Sequence, residues 1–260
     1  MVGYCGEVWR FRYFWLSLVR MDLRTRYRGS VLGMGWSLLQ PLALTGIFCI
    51  VFGKLFDQDV GEFAPKVMAG LAYWTYLTQS ILSGCQCFFS GESYIRQYPA
   101  PMAIYPLRTM LGAAFHFSLA LLMATALAGV CLHRLTVAGV LSLLPTMVLL
   151  MLFGWALALL AGLATVLFRD TRHLLEILLQ LLFYLTPIMY PPEVLQDRGM
   201  GWLMDWNPLM PFLRLLRDPL IDGRVAPLEA YASAALVLLL AVGAAALAMS
   251  RLEKRLIFEL

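Results

Sequence analysis

Charge is what this chain has least of. Acidic and basic side chains make up 14% of its 260 residues, against about 25% in ordinary soluble domains. Hydrophobic residues make up 61% and mean hydropathy is +0.75. That balance excludes a soluble globule and implies an integral membrane protein. The net charge of +4 is not a nucleic-acid signal, because the basic residues cluster beside apolar runs and not on a soluble face. Nucleotide and hydrolase motifs are missing too. The stretch Gly46 to Lys54 ends in Gly-Lys, but six residues separate its glycines where a P-loop has four, and Leu55 stands in place of Ser or Thr. No HExxH, GxSxG or GxGxxG occurs, so neither ATP binding nor catalysis is expected on this chain. No cleavable signal peptide is expected either, since eight charges precede Gly29. The five cysteines sit in or beside apolar runs or at the N-terminus, where no outer-loop pairing is plausible, so no disulfide is expected. Cys85 and Cys87, two residues apart, do not share a helix face and make a poor metal pair.

What the chain does have is a basic stripe leading into an apolar run. Arg20, Arg24 and Arg28 recur at every fourth residue, and Trp15, Val19, Leu23 and Tyr27 form a neighbouring apolar stripe at the same spacing. A helix with those two faces lies in a membrane interface. Asp22 and Arg26 are spaced for an i,i+4 pair beside the stripe.

Beyond Gly29 the chain alternates long apolar runs with short charged ones. A crossing helix needs about 20 apolar residues, and six spans are predicted, at about 29–55, 67–89, 109–132, 137–168, 174–190 and 230–250. The uncharged stretch from Leu135 to Phe168 is read as one tilted span with Pro145 near its end, because the polar residues of a hairpin turn are absent. Between spans five and six, the pieces around Met200 to Trp206 and Met210 to Ile221 are too short to cross, and segments of that length are re-entrant or interfacial. The fold class is therefore an all-α membrane protein: an interfacial amphipathic helix over residues 1–28, a six-span domain over 29–260, and an outer re-entrant gate region over 192–229. With both termini cytoplasmic, thirteen of the twenty Lys and Arg fall inside, as the positive-inside rule expects. No internal repeat is visible, which weakens an inverted-repeat secondary transporter. His116, inside span three, reads as a packed or hydrogen-bonded helix residue, and Glu176 and Asp170 as ion-pair partners of Arg169 or Arg172.

Four motifs in order resemble one known family. The run Leu23 to Gly33 (LRTRYRGSVLG), followed by Trp36 to Pro41 (WSLLQP), resembles the opening of the membrane permeases of ABC type-2 polysaccharide exporters, which move O-antigen, capsule and teichoic-acid chains. Ile95-Arg96 with Pro99, Pro101 and Pro106 is similar to the family's inner loop. Phe168-Arg169-Asp170, with Gln180 and the run Phe183 to Pro191, is similar to its fourth and fifth spans. Trp206-Asn207-Pro208, which holds the only Asn of the chain, is similar to its outer loop motif.

The resemblance implies a homodimer in the bacterial inner membrane with two cytoplasmic ABC ATPase subunits. It implies a lipid-linked polysaccharide as substrate, no cofactor in this chain, and ATP with Mg on the partner. A transporter without a nucleotide motif must borrow its motor, so Glu92, Ser93, Tyr94, Ile95, Arg96 and Tyr98 are expected to couple to the ATPase. Arg20, Arg24, Arg26 and Arg28 are expected at the interface or on a substrate pyrophosphate, which Arg contacts bidentately. Sugars stack on aromatics, making Phe48, Phe52, Tyr73, Tyr76, Phe88, Phe89, Trp155 and Tyr184 candidate conduit residues. Pro187, Trp206, Asn207, Pro208 and Phe212 are expected in the outer gate. Two alternatives stay open: an ABC type-2 exporter of a drug, lipid or teichoic acid, and a membrane glycosyl- or acyltransferase. The second needs convergent acid–base residues that the sequence does not bring together.

Overall fold

The computed structural model describes residues 2–97 and 100–259, with side chains for 6–97 and 100–253; the described residues form helices and connections with no strand. Two helices open the chain, α1 (Val2–Arg10) and α2 (Arg12–Tyr27). Arg28 then turns extended, and Gly29 and Gly33 take φ of 80° and 49°. Glycine enters that left-handed region without steric cost, so the basic helix stops and the chain is re-aimed. The uncharged run therefore begins with a turn and becomes helical only at α3 (Trp36–Phe48), which a π-type turn prolongs over Cys49–Gly53.

Asp59 caps α4 (Val60–Cys85), its carboxylate accepting from the Glu62 N–H at 3.2 Å. The chain bends at Gln86 and continues as α5 (Cys87–Gln97) and then α6 (Ile104–Leu132), which His133 ends in the left-handed conformation. Thr136 caps α7 (Val137–Leu167) through the Gly139 N–H at 3.0 Å. The long uncharged run is thus one helix, about 46 Å from end to end at 1.5 Å per residue. α8 (Thr171–Leu185) follows, then three short helices, α9 (Glu193–Gln196), α10 (Trp202–Asp205) and α11 (Met210–Arg217), and finally α12 (Leu228–Glu259).

Among the described residues, four stretches are long and apolar enough to cross a membrane: Gly33–Gly53, Ile104–Leu132, Val137–Leu167 and Leu228–Glu253. α4 does not qualify by that measure. It is surrounded by α3, α6, α7, α8 and α11, and Val67, Met68, Ala69, Tyr73 and Leu77 have no exposed surface. Enclosed by protein on most sides, α4 carries Thr75, Thr78, Gln79 and Ser80.

α4 and α7 approach closely. A Cβ added to Gly84 would lie 2.6 Å from the Ala158 Cα, and one on Gly162 would lie 2.9 Å from the Gly84 carbonyl. Small residues of this kind let helix backbones meet where lipid supplies no hydrophobic drive. The main core joins α4, α6, α7 and α11. A second core gathers Val8, Phe88, Ile95, Tyr105 and Met249, tying α1, α5, the start of α6 and α12 together at one end of the bundle.

Candidate functional site

The basic stripe divides in two. Arg20, Arg24 and Arg28 are exposed and line an open groove of about 810 Å³ along α2, together with Tyr13, Ser17, Met21 and Thr25. Arg26 lies off that stripe and borders a different recess between α3, α4 and α6. Asp22 does not serve Arg26. Both its oxygens are held by Arg108 of α6, through Nε and Nη2 at 2.5 Å each, and the Arg108 side chain is only 10% exposed. A fork-shaped, long side chain from another helix reaches a carboxylate more completely than a neighbour one turn away. α2 therefore stands along the first turns of α6.

Of the six residues expected to couple to a motor, Tyr98 lies outside the described residues. The other five are on α5. Glu92 and Arg96 pair at 2.9 Å, and Ser93 is exposed. Tyr94 meets Phe14 of α2 edge to face at 6.0 Å, while Ile95 is buried in the second core. Gly91 lies against the Tyr105 ring, where an added Cβ would come within 2.4 Å. α5 is thus braced on α2 and on the start of α6 at once.

A further polar cluster sits where α2, α3 and α6 converge. The Tyr27 hydroxyl lies 2.5 Å from Ser37 Oγ and 2.9 Å from His116 Nδ1, and Ser37 Oγ lies 3.0 Å from the same nitrogen. His116 is a hydrogen-bonded helix residue, as its isolation in an apolar run suggested; its partners could not be read from spacing. Beside the cluster is a recess of about 100 Å³ bordered by Trp36, Gln40, Thr75 and Gln79. At the far end of α7, Glu176 of α8 pairs with Arg172 at 3.0 Å.

The aromatic candidates separate by burial. Tyr73, Tyr76 and Phe88 are wholly enclosed by this chain's own helices. Tyr73 donates to the Leu209 carbonyl at 3.0 Å and Tyr76 to the Leu150 carbonyl at 2.9 Å. Buried tyrosines with a satisfied hydroxyl are core residues, so these three present no face to a ligand, which corrects the expectation for them. Phe48, Phe52, Phe89 and Trp155 are half-buried, Trp155 donating to the Ala103 carbonyl at 3.1 Å, and Tyr184 is exposed.

The gate candidates gather at the opposite end of the bundle. Asn207 is buried; its amide donates to Thr186 Oγ1 at 2.9 Å and its oxygen accepts from the Leu209 N–H at 2.9 Å. It so joins the turn after α8 to the start of α11. Pro187 is buried and Phe212 is fully buried, stacked on Phe153 at 4.5 Å, whereas Trp206 and Pro208 are exposed. Sequence reasoning missed the residue that binds this region most firmly. Arg217 donates to the carbonyls of Pro187 at 2.6 Å, Ile188 at 2.8 Å and Lys66 at 3.3 Å. Burial pulls its pKa down to about 10, so it keeps its charge at neutral pH. A cavity of about 710 Å³ opens beside it, lined by acidic and basic side chains together with Tyr190 and Phe56.

Residues 13–221 match the family described as ABC-2 type transporter. The chain is 28% identical over 244 residues to the O-antigen export system permease protein RfbA of Myxococcus xanthus, covering 92% of this chain and 93% of that one. It is 21% identical over 206 residues to the protein of the same name from Klebsiella pneumoniae, covering 79% of each. It is 22% identical over 214 residues to the polysialic acid transport protein KpsM of Escherichia coli, covering 80% of this chain and 81% of that one.

Proposed function

The chain belongs to the ABC-2 type transporter family, and from that premise we propose that it is the membrane permease of an exporter of lipid-linked polysaccharide, of the O-antigen class. It is a transport subunit, and ATP hydrolysis belongs to a separate ATPase subunit. The observation that carries the substrate class is that relatives matched over 93% and 81% of their length are named for O-antigen and polysialic acid.

In this reading two copies form the conduit in the bacterial inner membrane, with both termini cytoplasmic and two ATPase subunits beneath. Residues 1–28 form the interfacial helix and 29–260 the six-span domain. α4 and α8 add to the four apolar helices as spans two and five, and 192–229 form the outer gate. The support for α4 is its place at the centre of the apolar helices. The support for a gate is that Asn207 and Arg217 tie the short helices to the ends of α8 and α4, and non-spanning backbone is tolerated where protein covers it. The support for coupling through Glu92 to Arg96 is that α5 is braced on both α2 and α6, so a push on it reaches the bundle. The exposed arginines 20, 24 and 28 share a groove able to take phosphate groups. Phe48, Phe52, Phe89, Trp155 and Tyr184 remain as aromatic surfaces for sugar rings.

Deletion of the chain should leave lipid-linked polysaccharide on the cytoplasmic side, with export restored by the gene. ATP should be hydrolysed by the purified assembly with its ATPase and not by the chain alone. Turnover by the lone chain, or unchanged export without it, refutes the proposal.

A further inference from the structure

Polar side chains without protein partners are informative at membrane depth. Gln40 lies in the apolar helix Gly33–Gly53, and Gln79 lies on α4 one turn from Tyr76, whose ring meets Phe117 of α6 at 5.0 Å. Gln79 borders the same recess as His116, which lies twelve residues into the apolar helix Ile104–Leu132. Gln40 and Gln79 border one recess, which Thr75 and Trp36, the latter 53% exposed, also border. Among the described residues neither amide, Gln40 exposed and Gln79 half-buried, has a side-chain hydrogen-bond partner, whereas the neighbouring Tyr27, Ser37 and His116 satisfy one another. Lipid offers an amide nothing, so a polar side chain at this depth faces either the bundle interior or a water-filled cavity. The recess is open on one side and holds about 100 Å³, room for a few waters or one edge of a sugar ring.

We infer that Gln40, Thr75 and Gln79, with Trp36 as a stacking surface, form one half of a hydrated binding site for an uncharged sugar unit of the substrate, completed by the second copy of the chain. The chemistry matches that ligand. Amides and a hydroxyl offer donors and acceptors to ring hydroxyls, and an indole face takes the apolar side of the ring. None of the four carries charge, although Arg26 also borders the recess. The inference rests on the polysaccharide reading above and assigns it residues other than the enclosed Tyr73, Tyr76 and Phe88.

The test uses the chain assembled with its ATPase in membranes, in a background without native cysteines. Gln40→Cys, Gln79→Cys and, as a control on an exposed apolar face, Leu240→Cys are treated with a membrane-impermeant, charged thiol reagent, with and without ongoing glycan synthesis. Labelling of the two glutamine positions at least tenfold faster than Leu240→Cys, slowed severalfold while glycan is made, is the expected result. Gln40→Leu and Gln79→Leu should lower export tenfold or more with the ATPase still co-purifying. Labelling no faster than at Leu240→Cys overturns the hydrated site. Labelling without protection, together with full export by both leucine variants, overturns the sugar contact. Failure of the polysaccharide reading is seen separately, as parental cells that export no glycan through this chain.

Discussion

Replacing Arg108 by Gln should loosen α2 from the bundle, and replacing Arg26 by Gln should not. Arg108 reaches Asp22 with two donors, each at 2.5 Å, from a side chain that is 10% exposed, while Asp22 is 39% exposed. Breaking a fully buried ion pair by removing one partner costs about 3–5 kcal/mol. Water at Asp22 returns part of that, leaving about 2 kcal/mol, or about 30-fold in the docking equilibrium at about 1.4 kcal/mol per tenfold. An exposed i,i+4 contact from Arg26 to Asp22 contributes at most about 0.5 kcal/mol, roughly twofold. The reporter is Leu18→Cys, since Leu18 lies on the buried face of α2 at 4% exposure. Its thiol should react about 30-fold faster in Arg108→Gln and no more than about twofold faster in Arg26→Gln, because labelling follows local opening. Asp22→Asn should match Arg108→Gln, and the double variant should cost far less than the sum of the two. Equal rates for Arg26→Gln and Arg108→Gln would show that the interhelical pair does not hold α2.

Gly84→Leu should prevent assembly of α4 on α7, because even a Cβ there meets the Ala158 backbone at 2.6 Å; recovery of monodisperse protein from membranes is the measurement. Arg217→Lys should loosen the short helices, since an ammonium does not reproduce a fork spread over three carbonyls, and hydrogen exchange over residues 186–196 should quicken. Asn207→Ala leaves the buried Leu209 N–H without its acceptor, a loss of about 1–3 kcal/mol, read as a lower thermal midpoint in detergent with a smaller loss in Asn207→Asp than in an apolar Asn207→Leu.

Elements defined by what they contain were legible in the sequence; pairings across the bundle were not. The uncharged run of α7 implied one helix because no polar turn interrupts it, and the arginine spacing of α2 implied one stripe because helical phase is local. Asp22 misled for the same reason. Spacing suggests a partner one turn away, but the partner is 86 residues along the chain. Tyr73 and Tyr76 were expected in a conduit because sugar rings stack on aromatics, yet here each hydroxyl ends on a buried carbonyl. Arg217 gave no signal, since a basic residue beside a short apolar piece reads as a solvated end. Gln40 and Gln79 did leave one: amides inside apolar runs, whose significance needed the other helices in place.

The enclosure of α4 also bears on how the chain is made. α4 leaves the ribosome before α6 and α7, which supply most of its surroundings, and it is too polar to qualify as a membrane-crossing helix by itself. With Thr75, Thr78, Gln79 and Ser80 along its length, it gains little by meeting lipid alone. If α4 is span two, as proposed above, its insertion should be a delayed event, settled when later helices arrive to shield it. A nascent chain halted before Val137 should leave α4 extractable by alkali, and one released after Leu167 should hold it.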